Sequence, residues 1–485
     1  MKKINRIHIL NIFIFLMIVI PKSWGNILGI IPLRLILSCL FVGYNLIDII
    51  KNKRFNVFGK KYIVLYVLFL LFTIPSFFVT KSLITSSYTF IKFFIAFLIF
   101  IIMLNMDLKK EELKSIGKSF ILALSIVLIY GLIQYLFDVN LFKIGASKYP
   151  GAKGRIQSTF FNTIYYSIFL NMVIILLTYF IRKEKDIKIK IFYAVLLVLS
   201  FISLLLTFTR SAIMIFVGCL IINILLNSKT IFNRWCLPIY VFMISFSLLI
   251  PGVKTLYIST YDDITLLVSD NLVSKFLPNI DKNNKHEIEN DTSEIVHYTE
   301  DASLNSRIEF SKIGNRLAKD HIKTGIGFGA YNNYVYSSEY IENYPQYANY
   351  KTFPHSSLVL LYAEVSIGAL VLFCLFAISI IIDFCINWFK NYKNNKNLKE
   401  LSGLALTIIA GFIVVNIVAE NAIYDSQIFP IFLIIIGFLT KSITFESILL
   451  IILSFVSLGN LIYSLLFTLF LSCLTDQLFN SVLFI

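Results

Sequence analysis

Arg34, Lys81, Arg155, Arg210, Arg307 and His355 fall inside, or within a few residues of, long apolar runs. A charged side chain at that depth is costly, so each is a candidate for function. A guanidinium offers forked donors that match phosphate oxygens and stays charged at every relevant pH. An imidazole near neutral pH can accept the proton of a sugar hydroxyl and turn that hydroxyl into a nucleophile. Together these groups suit a displacement in which the arginines stabilise charge growing on a departing diphosphate. A lipid-linked diphosphate carries its charge at that depth. Arg210, in "TFTRSA", is the tightest case, because only a few residues join the apolar runs on either side. The chain has no D-x-D run, its nearest approach being Glu289-Asn290-Asp291, and the chemistry is read as needing neither metal nor other cofactor.

The elements that must position these residues follow from composition. Of 485 residues, 58% are hydrophobic and 15% charged, with mean hydropathy +0.80. A soluble domain is nearer half apolar and a quarter charged. Apolar runs of bilayer-crossing length recur from end to end. The expected fold is therefore an all-α polytopic membrane protein of about twelve or thirteen spans. These are placed near 7–20, 27–50, 62–79, 88–106, 116–137, 164–181, 190–206, 211–226, 235–250, 355–386, 401–419, 423–440 and 446–474. Three regions result: N-terminal spans over 1–250, a large outer loop over 251–354, and C-terminal spans over 355–485. The basic, then apolar opening is read as a retained first helix, since no small-x-small cleavage site follows it.

Net charge is +15, and its distribution reports topology. With the N terminus in the cytoplasm, the inward segments hold 24 of the 43 lysines and arginines, as the positive-inside rule requires. No basic face with reading aromatics appears, so nucleic acid is excluded as a partner. This orientation puts Lys81, Arg155, Arg210, Arg307 and His355 on the outer side, with Arg34 about two turns into the second span. The six cysteines form no CxxC pair, which supports neither a zinc site nor a disulfide framework.

In the outer loop, "PNIDKNNKHEIENDTSEIVHYTEDA" is polar and acid-rich. Ile308, Ile313 and Leu317 then recur at near-helical spacing, which predicts an amphipathic helix of four or five turns. "GIGFGA" reads as a tight turn whose glycines supply positive φ. "YNNYVYSSEYIENYPQYANY" carries seven tyrosines. They suit either an interfacial belt or packing on sugar rings, with Tyr331 and Tyr334 the candidates for substrate contact. Glu364 lies nine residues past His355, half a turn out of phase, and is expected to meet a structural partner such as a buried cation.

Four segments resemble one family. "LLLTFTRSAIMIFVG" resembles its S/T-x-S/T-R motif, and "SLNSRIEFSKIGNRLAKDHIKTGIGFGAYNNY" its S-x-x-S-R…G-x-G-x-G motif. "PHSSLVLLYAEVSIGAL" is similar to its H-(N/S)-x-x-L…E-x-G-x-x-G segment, and "KGRIQSTFFNTIYYS" to its G-R-x-x-G-T-F-x-N-P-N segment. The family is the bacterial O-antigen polymerase and O-antigen ligase superfamily of membrane glycosyltransferases, and the resemblance covers roughly residues 150–370. Ser158 stands where the pattern has glycine, Thr163 and Ile164 replace Pro-Asn, Ser356 replaces the commoner Asn, and Ser366 the glycine of E-x-G.

The resemblance implies a GT-C-like, metal-independent transferase of the inner membrane, with its active site extracytoplasmic and an undecaprenyl-diphosphate-linked oligosaccharide as substrate. Arg155, Arg210 and Arg307 would hold the diphosphate, His355 would be the base, and Lys81 an outer cation. The favoured activity is repeat-unit polymerisation of a surface polysaccharide such as O-antigen or capsule, alongside a chain-length regulator. The alternative is ligation of finished glycan to lipid A core or protein. A lipid-linked-oligosaccharide transporter is the reading from another class. It should show charge through the bundle depth and pseudo-repeated halves, whereas here charge gathers at one lip.

Overall fold

The computed structural model describes residues 6–21, 26–27, 31–51, 60–106, 110–137, 154–232, 235–247, 307, 309–348 and 351–444. The acid-rich stretch of the outer loop and the span expected near 446–474 lie outside the described residues. Helix α1 (Arg6–Val19) leads into a two-stranded antiparallel ribbon, β1 (Asn26–Ile27) and β2 (Ile31–Pro32), paired Asn26 to Pro32 and Ile27 to Ile31. There follow α2 (Leu33–Lys51), α3 (Lys60–Phe72), α4 (Leu83–Asn105), α5 (Lys110–Phe137), α6 (Thr163–Lys183), α7 (Ile187–Leu206), α8 (Arg210–Ile231) and α9 (Cys236–Ser247). Next comes a cap made of α10 (309–320), α11 (Tyr331–Val335) and α12 (Ser338–Asn343). Helices α13 (Ser357–Glu364), α14 (Ile367–Asn394), α15 (Lys396–Val414) and α16 (Ile428–Thr444) complete the described chain. Among the described residues, eight helices are long and apolar enough to cross a membrane, and α1, α9 and α16 include shorter apolar stretches. The protein is a multi-pass, all-α membrane protein.

Helix α6 is the axis of the bundle. It is apolar all round, with every residue from Tyr165 to Ile181 buried, as expected of a helix with neighbours on all sides. Two spans depart from the sequence expectation. The ribbon occupies the start of the run near 27–50, so that helix begins at Leu33. The run near 355–386 breaks at Val365 and Ser366, where Ser366 turns extended and its hydroxyl caps α14 at the Ala369 N–H. A capping serine ends one helix and starts the next.

Small residues let α8 and α15 approach closely. Asn227 lies against Gly403, and Cys219 against Gly411. That antiparallel packing puts the start of α8, with Arg210, at the end of the bundle where α15 leads on to Glu420.

At the opposite end of the bundle, Glu400 accepts from Arg182 at 2.5 Å and pairs with Lys183 at 2.6 Å, all three largely buried. Removing one member of a buried ion group strands the others. Glu400→Ala is expected to destabilise the fold by about 3–5 kcal/mol, read as a lowered thermal midpoint of the detergent-solubilised protein.

Candidate active site

The cap is held by its own core. Ile313, Leu317 and Ala318 of α10 pack on Ile326, Tyr331, Tyr334, Val335, Tyr340 and Tyr344, and on Leu360 and Ala363 of α13. The amphipathic helix is thus present over 309–320, with its apolar stripe turned into the cap. The tyrosines are spent in this core. Tyr331 and Tyr334, the candidates for substrate contact, are each 2% exposed and packed into this core. Two of the cap tyrosines use their hydroxyls there: Tyr334 meets His321 Nε2 at 3.1 Å, and Tyr344 donates to Asp320 at 2.8 Å.

The glycine turn joins cap to bundle. Gly325 and Gly329 have φ of +70° and +75°, a region that favours glycine. A Cβ on Gly325 would strike the Glu364 backbone, and one on Gly329 the Thr89 side chain. The Ile326 N–H donates to Ala363 O at 3.0 Å, and the Gly327 N–H to Glu364 O at 3.2 Å. The turn is therefore seated on the end of α13, the helix that follows His355.

His355 sits at the start of that helix. Asn421 donates to Pro354 O at 2.8 Å, and Ser357 to the Asn416 side chain at 2.6 Å. Both partners come from the end of α15, where the last turn, Val415–Ala419, widens to a π-helix, a feature frequent at functional sites. The same segment brings Glu420, whose Oε1 lies 4.0 Å from His355 Nδ1. Nδ1 is buried and makes no hydrogen bond, while the side chain keeps 25% exposure. Phe310 and Phe353 flank the imidazole, with ring centroids 6.2 and 6.1 Å away.

Arg307 reaches the same place, since its charge acts on both His355 and Glu420. Burial first, and Arg307 second, hold the His355 imidazole well below its ordinary value, at about 4. Burial raises the Glu420 carboxyl, against the pull of the Asn421 N–H and Arg307. The ring is neutral at physiological pH and can accept a proton. Its sign for stability follows: the folded state binds fewer protons than the unfolded chain between about pH 4 and 6.5, so His355 subtracts stability as pH falls through that window.

Arg155 holds the turn between α7 and α8, directly before Arg210. Arg155 Nε donates to Thr207 O at 2.8 Å, and one terminal nitrogen donates to Thr163 Oγ1 at 3.1 Å and Thr209 Oγ1 at 3.0 Å. Between those threonines Phe208 adopts φ +45°, which costs a non-glycine residue about 1–3 kcal/mol. The expected diphosphate ligand Arg155 is thus engaged as a clip that fixes the turn ahead of Arg210. Arg155→Leu is expected to cost about 1–3 kcal/mol of stability through its lost charged hydrogen bonds, again measured by thermal unfolding in detergent. Ser158, at the family's glycine position, has φ +51°. The departure keeps the conformation that glycine would adopt freely, with its hydroxyl bonded to Val127 O at 2.6 Å.

Two further expected ligands are engaged elsewhere. Arg34 is 2% exposed. It donates to Ile20 O and, at 3.2 Å, to Thr159 O, tying the carbonyl end of α1 to the 155–162 loop. Lys81 pairs with Glu339 of α12 and ties the bundle to the cap. Glu420, Asn416 and Asn421 are site residues that the sequence did not single out. A carboxylate and two amides between apolar runs at 401–440 carried the same signal. Among the described residues no group of three or more His, Cys, Asp or Glu side chains could hold a metal ion.

No protein of curated function matches the chain. Residues 195–376 match the family model described as O-antigen ligase; this stretch holds Arg210, Arg307 and His355 and excludes Glu420. On that stretch the chain is similar to the O-antigen ligase family, which supports the O-antigen polymerase and ligase superfamily.

Proposed function

We propose that this chain is the repeat-unit polymerase of a bacterial surface polysaccharide, seated in the inner membrane with its N terminus in the cytoplasm and the His355 site on the outer face. The observation that carries this reading is the gathering of Arg307, Glu420 and a neutral His355 under the cap, with Arg210 at the same end of the bundle. His355 Nε2 takes the proton of an acceptor sugar hydroxyl. That oxygen bonds to the anomeric carbon of the donor glycan as the bond from that carbon to the diphosphate breaks. Undecaprenyl diphosphate departs with the bonding pair, stabilised by Arg210 and Arg307. The outcome is inversion by single displacement without metal.

The electrostatics suit the order of events. Arg307's charge is one cause of the low basicity of His355. A bound diphosphate offsets that charge and makes the imidazole a stronger base when the substrate is in place. Glu420 then faces the imidazolium that forms. A chain-length regulator is the expected partner.

A second reading, ligation of finished glycan to another acceptor, is favoured by the description of the matching family model. Deleting the chain in its host separates the two. Single repeat units on the lipid carrier and on the surface are the result expected for the polymerase. Long glycan stranded on undecaprenyl diphosphate would establish the ligase, and an unchanged ladder would remove both.

A further inference from the structure

Glu364 is fully buried at the end of α13 and gathers three donors from two separate pieces of chain. Its Oε2 accepts the Gly329 N–H at 2.8 Å and the Tyr424 hydroxyl at 2.6 Å, and its Oε1 accepts the Tyr331 N–H at 3.2 Å. Gly329 and Tyr331 belong to the cap. Tyr424 belongs to the 3-10 turn Ala422–Tyr424, four residues beyond Glu420. Lys92 of α4 donates to Tyr424 O at 3.1 Å and adds its charge from the far side. The expected cation partner of Glu364 is therefore present only at one remove, through Tyr424.

We propose that Glu364 is the positioning residue of the active site: its carboxylate locks together the helix that follows His355, the segment that carries Glu420, and the cap that brings Arg307. This rests on the glycosyl-transfer reading above. A carboxylate suits the place because every partner is a donor. A protonated acid or an amide would point its own hydrogens at one of them, leaving a buried donor unpaired. Lys92, Tyr331 and Tyr424 are titratable groups that face Glu364. Glu364 precedes the spanning helix, and burial lifts it to about 7 against the pull of its three donors and of Lys92. The lock is closed above that value and releases below it.

The test uses full-length protein in detergent, with diethyl pyrocarbonate as the probe of His355, read by mass spectrometry. Variant and wild type are compared at the same pH, and the closed site holds the imidazole at about 4, so the labelling is read as their ratio. Glu364→Gln should raise His355 labelling about fivefold over wild type at pH 8.5. That ratio should fall towards one at pH 5.5, where the wild-type lock is also open. Glu364→Asp, which keeps the charge, should lie nearer wild type. A residue that merely supports the fold would give a ratio independent of pH. A ratio near one at pH 8.5, or one unmoved by pH, overturns the proposal. Polymerisation assayed on the same samples keeps the two readings apart. Labelling that shifts as expected while glycan transfer is absent leaves the lock standing and sinks the transferase reading.

Discussion

His355→Ala is expected to abolish the surface-glycan ladder and leave single repeat units on the lipid carrier, with the protein still at wild-type level in the membrane. General base catalysis contributes about 10²–10⁴ in rate, and a loss of that size exceeds what slow growth of the chain could hide. The substitution is benign for the fold. His355 keeps 25% exposure, its Nδ1 has no hydrogen bond to lose, and the backbone on either side is tied by Asn421 and Ser357. Removing the ring also removes the stability penalty that its depressed pKa imposes below about pH 6.5. A variant that is as stable as wild type, or more so at pH 5, and yet inactive would place the defect in the chemistry. A wild-type ladder in His355→Ala cells would leave the site without its base.

How much of this was legible in the sequence depends on how each residue signals its environment. Apolar runs report spans directly, because the bilayer demands their length, and Gly325 and Gly329 announced a turn that their positive φ bears out. Where the chain leaves the bundle, local rules compete. Ser366 reads as one polar residue in an apolar run, yet as a cap it splits that run. The cations were legible as costly, but cost does not say what meets it. Arg155, Arg34 and Lys81 satisfy threonines, carbonyls and Glu339, partners 8 to 258 positions away that no local pattern reveals. Tyr331 and Tyr334 fit a sugar platform by type, and only the fold shows them turned inward. Glu420 was readable by the same reasoning that found the arginines.

Arg210→Ala is expected to lower the rate of glycan transfer by about 10²–10³, the scale seen when a donor aimed at developing negative charge is removed. Arg210→Lys should recover less than a tenth of what is lost, because an ammonium restores the charge without the fork that grips two phosphate oxygens. The scaffold argues for so sharp a response. Arg210 opens α8 directly after a turn held at Phe208 φ +45° and clipped by Arg155, so its backbone has little freedom to adjust to a shorter reach. Arg307 approaches from the cap, on a different element, and the two should grip one leaving group from two sides. Groups that act as a unit on one transition state are grossly non-additive. The double variant Arg210→Ala, Arg307→Ala should therefore fall well short of the product of the two single losses when initial rates are compared in one membrane preparation. Losses that multiply in full would mean that the two arginines act on separate charges, with only one of them holding the departing diphosphate.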